Sequence, residues 1–180
     1  EELTLNEALL LSYAGRPTDA LACLAPLGEL RDPRARALSA LAEVPALVAT
    51  GRCVTALDVA GRAFAEQTEL PDQIAIPGPE IHVLMQIYAL AECGRLAESE
   101  ALATVAYEAT PSTAPSDALM WLGHQLGRCA LLGGRAEVAR RRLGEALARC
   151  EENDIFGPRR LVLSSLATAY AYLGDAAAAA

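Results

Sequence analysis

Few residues in this chain could do chemistry, and their spacing argues against each use in turn. Five cysteines, Cys23, Cys53, Cys93, Cys129 and Cys150, lie far apart, with no C-x-x-C pair and only two histidines to complete a zinc set. An odd number of thiols at helical positions reads as reduced, buried cysteine in a cytosolic protein. His82 and His124 stand in the first helices of neighbouring helix pairs, without converging partners, so a structural or solvated role is expected of both. Glu98 and Glu100 are two apart and cannot face each other on a helix, while Glu151, Glu152 and Asp154 crowd a loop where charge is solvated. No G-x-S-x-G elbow presents a nucleophile. The expectation is a chain without catalytic residues, metal site or cofactor of its own: a binding module and not an enzyme.

All 15 basic residues are Arg, so the phosphate-reaching Lys of a P-loop and Schiff-base catalysis are both excluded. The net charge is −8 and the isoelectric point about 4.8, opposite to a nucleic-acid-binding surface, and the short run Arg140-Arg141-Arg142 does not reverse that. No signal peptide and no apolar run of about 18 residues is visible, which points to a cytoplasmic protein without a membrane span. The 180 residues begin at Glu1 without Met and run out in Ala176–Ala180, so a fragment of a longer protein is expected.

The elements that position these residues are marked by glycine. A Gly followed by Arg or Asp closes an apolar stretch at Gly15, Gly51, Gly94, Gly134 and Gly174, with spacings of 36, 43, 40 and 40 residues. Gly suits the left-handed position just past a helix. Five residues beyond each stand Ala20, Ala56, Ser99, Ala139 and Ala179, and twelve beyond stand Leu27, Ala63, Ala106 and Ala146. All but Leu27 are small, as needed if a second helix is to be approached closely. Asp32-Pro33 reads as an N-cap before a first-turn proline, Gly78-Pro79 and Gly157-Pro158 have the same form, and Ser116 or Asp117 can cap the fourth pair.

Mainly Ala and Leu among the apolar residues, with 4% aromatics, favours helix over strand. The reading is Glu2–Ala14 with Thr18–Leu30, Pro33–Thr50 with Cys53–Glu69, Pro79–Cys93 with Leu96–Thr110, Ser116–Gly133 with Ala136–Glu152, then Pro158–Leu173 and the start of a last helix. Leu70–Gly78, Pro111–Pro115 and Asn153–Gly157 are loops, and Pro45 should kink its helix. No hairpin has enough core alone, so stacking must join their apolar faces. Leu119, Leu122, Leu126 and Leu143 are expected in the core of the fourth pair, and Leu161, Leu166, Ala169 and Leu173 in that of the fifth.

These features resemble the tetratricopeptide (TPR) pattern, best at Leu126-Gly127, Gly134, Ala139 and Ala146 and again at Tyr170, Gly174 and Ala179. Leu27 departs from it, and the period exceeds the usual length of about 34 residues. The resemblance implies an all-α, TPR-like α–α superhelix, a right-handed solenoid of antiparallel helix pairs, forming one domain over 1–180 with about four and a half pairs. The phrases AGRPTDAL and ECGRLAESEALATVAYEA are also similar to the helical-repeat region of large ATP-dependent LuxR-type bacterial transcriptional regulators, including the maltose-regulator sensor domain. That resemblance implies a sensor and signal-transduction segment taking a small-molecule effector or partner protein in its groove. ATP-binding and DNA-binding would belong to the parent chain. A general TPR adaptor for protein–protein interaction is the alternative, and a repeat-fold enzyme or a dimerisation segment are further rivals.

In repeats of this kind the first helix of each pair lines the inner face. The glycine register then places Tyr88 in the third pair, Trp121, His124, Gln125 and Arg128 in the fourth, and Ser165, Thr168 and Tyr172 in the fifth at the groove. Trp121 is the only Trp, a residue type enriched with Arg at binding hot spots, although a lone Trp in an apolar helix is more often core. Arg128 can offer its planar fork to an anionic ligand or to a neighbouring helix.

Overall fold

A computed structural model describes residues 2–68, 79–111, 116–150 and 158–179, and among these all regular structure is helical. The helices are α1 (Glu2–Tyr13), α2 (Pro17–Leu24), α3 (Pro33–Ala49), α4 (Cys53–Thr68), α5 (Pro79–Glu92), α6 (Leu96–Ala109), α7 (Ser116–Leu132), α8 (Ala136–Cys150), α9 (Pro158–Tyr172) and α10 (Ala176–Ala179). Boundaries agree with the sequence reading to within a residue or two except at α2. There the helix stops at Leu24 and gives way to a 3-10 turn over Ala25–Leu27, where a run to Leu30 was expected. Pro26 lacks the N–H a continuing helix needs, and Gly28, at φ 60°, takes the chain out of the helical region. Leu70–Gly78, Asn153–Gly157, most of Pro111–Pro115, the expected last turn of α8 at Glu151 and Glu152, and Asp154 lie outside the described residues, as do the Ser116 and Asp117 side chains proposed as caps.

The glycine register is physical. Gly15, Gly51, Gly94, Gly134 and Gly174 all have φ between 72° and 78°, a region that penalises any Cβ. Around Gly51, its N–H donates to the Val48 carbonyl and the Arg52 N–H to the Leu47 carbonyl, the paired bonds of a Schellman end. The same pair of bonds recurs at Gly134 with Arg135 and at Gly174 with Asp175. Asp32 caps α3 as expected, its Oδ1 accepting from the Arg34 N–H at 3.1 Å with Pro33 in the first turn. α3 continues through Pro45 to Ala49, even though proline removes one hydrogen bond from its ladder.

Helix packing groups into two compact units, Glu1–Gly94 and Arg95–Ala180. In the first, α3 packs on α1, α2 and α4, and α5 packs on α3 and α4. Ala40, Val44, Leu47, Ala56, Val59, Ala60, Ala63 and Ala89 form its core. In the second, α7 packs between α6 and α8, and α9 packs on α7 and α8. Met120, Ala139, Leu143, Ala146, Val162, Leu166 and Ala169 lie at its centre.

The small residues serve two contacts. Within the fourth hairpin, Gly127 lies so close to Leu143 that a Cβ there would stand 2.6 Å from Leu143 Cγ, and Gly123 faces Ala146. The residue five beyond each turn also meets the next pair: Ser99 Oγ lies 3.1 Å from Cys129 Sγ on the following first helix. By the same register Ala56 shares a core cluster with Ala89, and Ala139 with Ala169. Ala139→Leu is therefore expected to overpack α8 against its neighbours, at about 1–3 kcal/mol, and an unchanged melting temperature would contradict the register.

Two core expectations are corrected. Leu119, Leu122, Leu126, Leu143, Leu166 and Ala169 are buried, but Leu161 is 47% and Leu173 36% exposed. Leu161 stands thirteen residues before its turn glycine, the offset of the half-buried Trp121 from Gly134, and is more exposed there than Trp121. Leu173 lies at the helix end, in the turn itself.

Candidate partner-binding face

Trp121, His124, Gln125 and Arg128 recur at i, i+3, i+4 and i+7 of α7, and so share one side of that helix. Leu161, Ser165 and Thr168 hold along α9, which packs on α7, the places of Trp121, Gln125 and Arg128, and Tyr172 continues the row one turn on. The structure brings these two rows together: His124 Nε2 and Ser165 Oγ share a hydrogen bond of 3.2 Å, although 41 residues separate them. The Trp121 ring stands edge-on to His124 with centroids 6.0 Å apart, and Arg128 Nη1 donates to Gln125 Oε1 at 3.4 Å.

The face is layered by depth. His124 and Gln125, expected at exposed groove positions, are buried. Trp121 is half-buried and packs against the core cluster around Met120 and Leu143. Arg128 and Ser165 are half-buried, while Thr168, Tyr172 and Leu161 are exposed. Tyr88 lies half-buried on α5, in the other unit. Leu161 is the residue that sequence reasoning missed, and applying the Trp121 offset to α9 finds it. None of the residues named on the α7–α9 face is acidic, in a chain whose net charge is −8.

A Ser–His pair at this distance invites a test against nucleophilic catalysis. Burial, then the charge of Arg128, lower the His124 pKa to about 4, against a weaker pull upward from the Leu161 carbonyl. An imidazole of that basicity is a poor proton acceptor for a serine hydroxyl. His124 Nδ1, where a triad would place a carboxylate, has no hydrogen-bond partner among the described residues. Ser165 sits inside α9, where backbone N–H groups are tied into the helix ladder and cannot form an oxyanion hole. The pair works as an internal tie between α7 and α9.

Elsewhere the titratable residues are dispersed. Among the described residues no group of three or more His, Cys, Asp or Glu could hold a metal ion. None of the five cysteines is in a disulfide; Cys129 and Cys150 are buried and the other three half-buried. Burial, chiefly, pushes the Cys129 thiol up, so it is no ready nucleophile. Glu98 pairs with Arg95, whereas Glu100 takes both Arg135 guanidinium nitrogens at 2.9 and 2.8 Å, so the two carboxylates turn to different partners. No helix of the described residues is long and apolar enough to cross a membrane.

No protein-family model matches the chain, and no curated protein matches it in sequence. Among solved structures it is similar to the TPR-like repeats of a kinesin light chain from Podosopora anserina, with a TM-score of 0.60 and 19% identity over 99% of this chain and 88% of that one. The fold is thus all-α and TPR-like, as the glycine register and the helix pairs imply.

Proposed function

We propose that this chain is a protein-interaction module whose partner lies on the α7–α9 face. The observation that carries the reading is the composition of that face: a half-buried Trp121 and Arg128, with Leu161, Thr168 and Tyr172 exposed beside them and no acidic residue in the row. Aromatic residues and Arg anchor interfaces, and the part-buried His124–Ser165 tie gives them a rigid base. The chemistry suits an extended segment offering apolar side chains and a carboxylate to Arg128. The likeness to TPR-like repeats supports a binding role by fold.

A narrower reading adds a regulatory output: the segment serves as the sensor of a LuxR-type transcriptional regulator, with protein or small-molecule effectors as occupants. The sequence phrases around Gly15 and Gly94 support it, and it requires that the occupant prefer one state of the parent chain over another. A nucleotide-binding motif before this segment and a helix-turn-helix after it would favour the sensor over a general adaptor. In the adaptor reading the module holds its partner with no switch attached.

Arg128→Ala tests the shared claim. Calorimetry with the partner is expected to show binding weakened roughly tenfold or more, the scale of a lost charge-assisted contact, with the helical circular dichroism unchanged. Equal affinity in a folded variant would remove Arg128, and with it the anionic part of the proposal.

A further inference from the structure

On α9 and α5, positions twelve and eight residues before the turn glycine meet the second helix of the preceding pair. Val162 and Leu166 share a core cluster with Leu143, Ala146 and Cys150 of α8. Gln86 lies against α4, its Nε2 3.7 Å from where a Cβ on Gly61 would stand. His82, Leu122 and Leu126, at the same positions on α5 and α7, are buried. On α3 the two positions hold Ser39 and Glu43, and both are half-buried. The covering residues on α4 and α8 stand at least nine residues beyond their turn glycines, a stretch that in the first pair begins at Leu24, where α2 ends. α2 has eight residues where α4, α6 and α8 have 16, 14 and 15. The short second helix leaves Ser39 and Glu43 without the cover of their counterparts.

A hollow of about 220 Å³ lies there, between the α2–α3 connection, α3 and α4. Arg36 builds its wall: Nη1 donates to the Leu30 and Arg31 carbonyls at 3.1 and 2.7 Å, and Nε to Glu66 Oε2 at 2.6 Å. Ala40, Val59 and Ala63, all buried, give it an apolar floor. Two lining groups, the Ser39 hydroxyl and the Glu43 carboxylate, stand one helical turn apart with no hydrogen bond or ion pair among the described residues. Beside them Arg62 is exposed, its Nε donating to the Asp58 carbonyl at 3.4 Å. Burial raises the Glu43 pKa against the lowering pull of Arg62 and Arg52. Its charge is incompletely solvated and gains from a donor cation.

We propose that this hollow binds a small neutral α-amino acid. The ligand's ammonium group donates to the Glu43 carboxylate and the Ser39 hydroxyl, and its carboxylate accepts from the Arg62 guanidinium. Its apolar side chain lies on Ala40, Val59 and Ala63. Sites for drug-sized ligands measure about 300–1,000 Å³, so the smaller hollow suits a smaller molecule. A charged ligand side chain would lack a ready counter-charge, because Arg36 and Glu66 already pair with each other. The site lies wholly within the first unit and shares no residue with the α7–α9 face.

Amide NMR spectra of the 180-residue protein titrated with L-valine test this. Saturable shifts are expected in α3 around Ser39 to Glu43 and in α4 around Val59 to Glu66, with a Kd on the order of 1 mM. Glu43→Gln and Arg62→Gln should each weaken binding roughly tenfold or more with circular dichroism unchanged. Arg62 is exposed, so its variant tests the site even where Glu43→Gln disturbs packing. Valinol, which lacks the carboxylate, and isobutyrate, which lacks the ammonium, should give no saturable shifts. Absence of saturable shifts with L-valine up to about 50 mM would overturn the proposal. So would valinol or isobutyrate binding as tightly as L-valine, folded variants that bind like the wild type, or shifts confined to α7 and α9.

Discussion

Acidification from pH 7.5 to pH 5 is expected to lower the unfolding free energy by about 2 kcal/mol through His82 and by a similar amount through His124, the two acting in separate units. Both imidazoles are held neutral by burial, with pKa values lowered from 6.5 to about 4. The unfolded chain takes up a proton near pH 6.5 that the folded chain refuses until about pH 4. Stability from each group is therefore complete above pH 6.5, falls as the pH drops, and is gone near pH 4. His82 is the cleaner case, because it is fully buried with neither ring nitrogen partnered among the described residues. Glu43 opposes it, its pKa raised mainly by burial, so that protonation favours the folded first unit. His82→Leu should flatten the pH dependence of that unit in urea titrations, and the register admits leucine because Leu122 holds the same position on α7. An equally steep loss in the variant would show that His82 is not the proton sink.

Leu143→Ala should cost about 3 kcal/mol in the second unit, within the usual span for a buried leucine. Leu143 is fully buried in the cluster that also holds Ala139, Ala146, Val162 and Leu166, joining α8 to α9. It also fills the space that Gly127 leaves open on α7, so truncation opens a void between two helices that a glycine cannot help to close. For a unit of this size the loss corresponds to a fall in melting temperature of roughly 10 °C or more. Stacked repeats depend on their neighbours, so α7, α8 and α9 should lose hydrogen-exchange protection together. A shift of only a degree or two would mean that the hairpin relaxes around the site.

The fold was legible because glycine at positive φ leaves a sequence signature that packing cannot hide. Gly15, Gly51, Gly94, Gly134 and Gly174 could be read directly, and the helix boundaries followed. The early end of α2 was less legible, since the 3-10 turn and the escape at Gly28 compete with an otherwise helical composition. Hydrophobicity alone places Leu161 in the core, whereas its offset from Gly174 matches that of the half-buried Trp121 from Gly134. The proposed binding residues on α7 and α9 could be placed on one helix side by the same offsets, but their depth could not. Burial of His124 and Gln125 depends on how closely α9 approaches α7, and the Ser165 tie spans 41 residues of chain. No local pattern encodes such a contact.

Hydrogen–deuterium exchange of the protein alone and with its partner tests the binding face most directly. Protection is predicted to concentrate in α7 around Trp121 to Arg128 and in α9 around Leu161 to Tyr172, leaving the outer side of α8 at Arg140 and Arg141 unchanged. Protection confined to α2, α4 or α8, with α7 and α9 exchanging as in the free protein, would contradict the account.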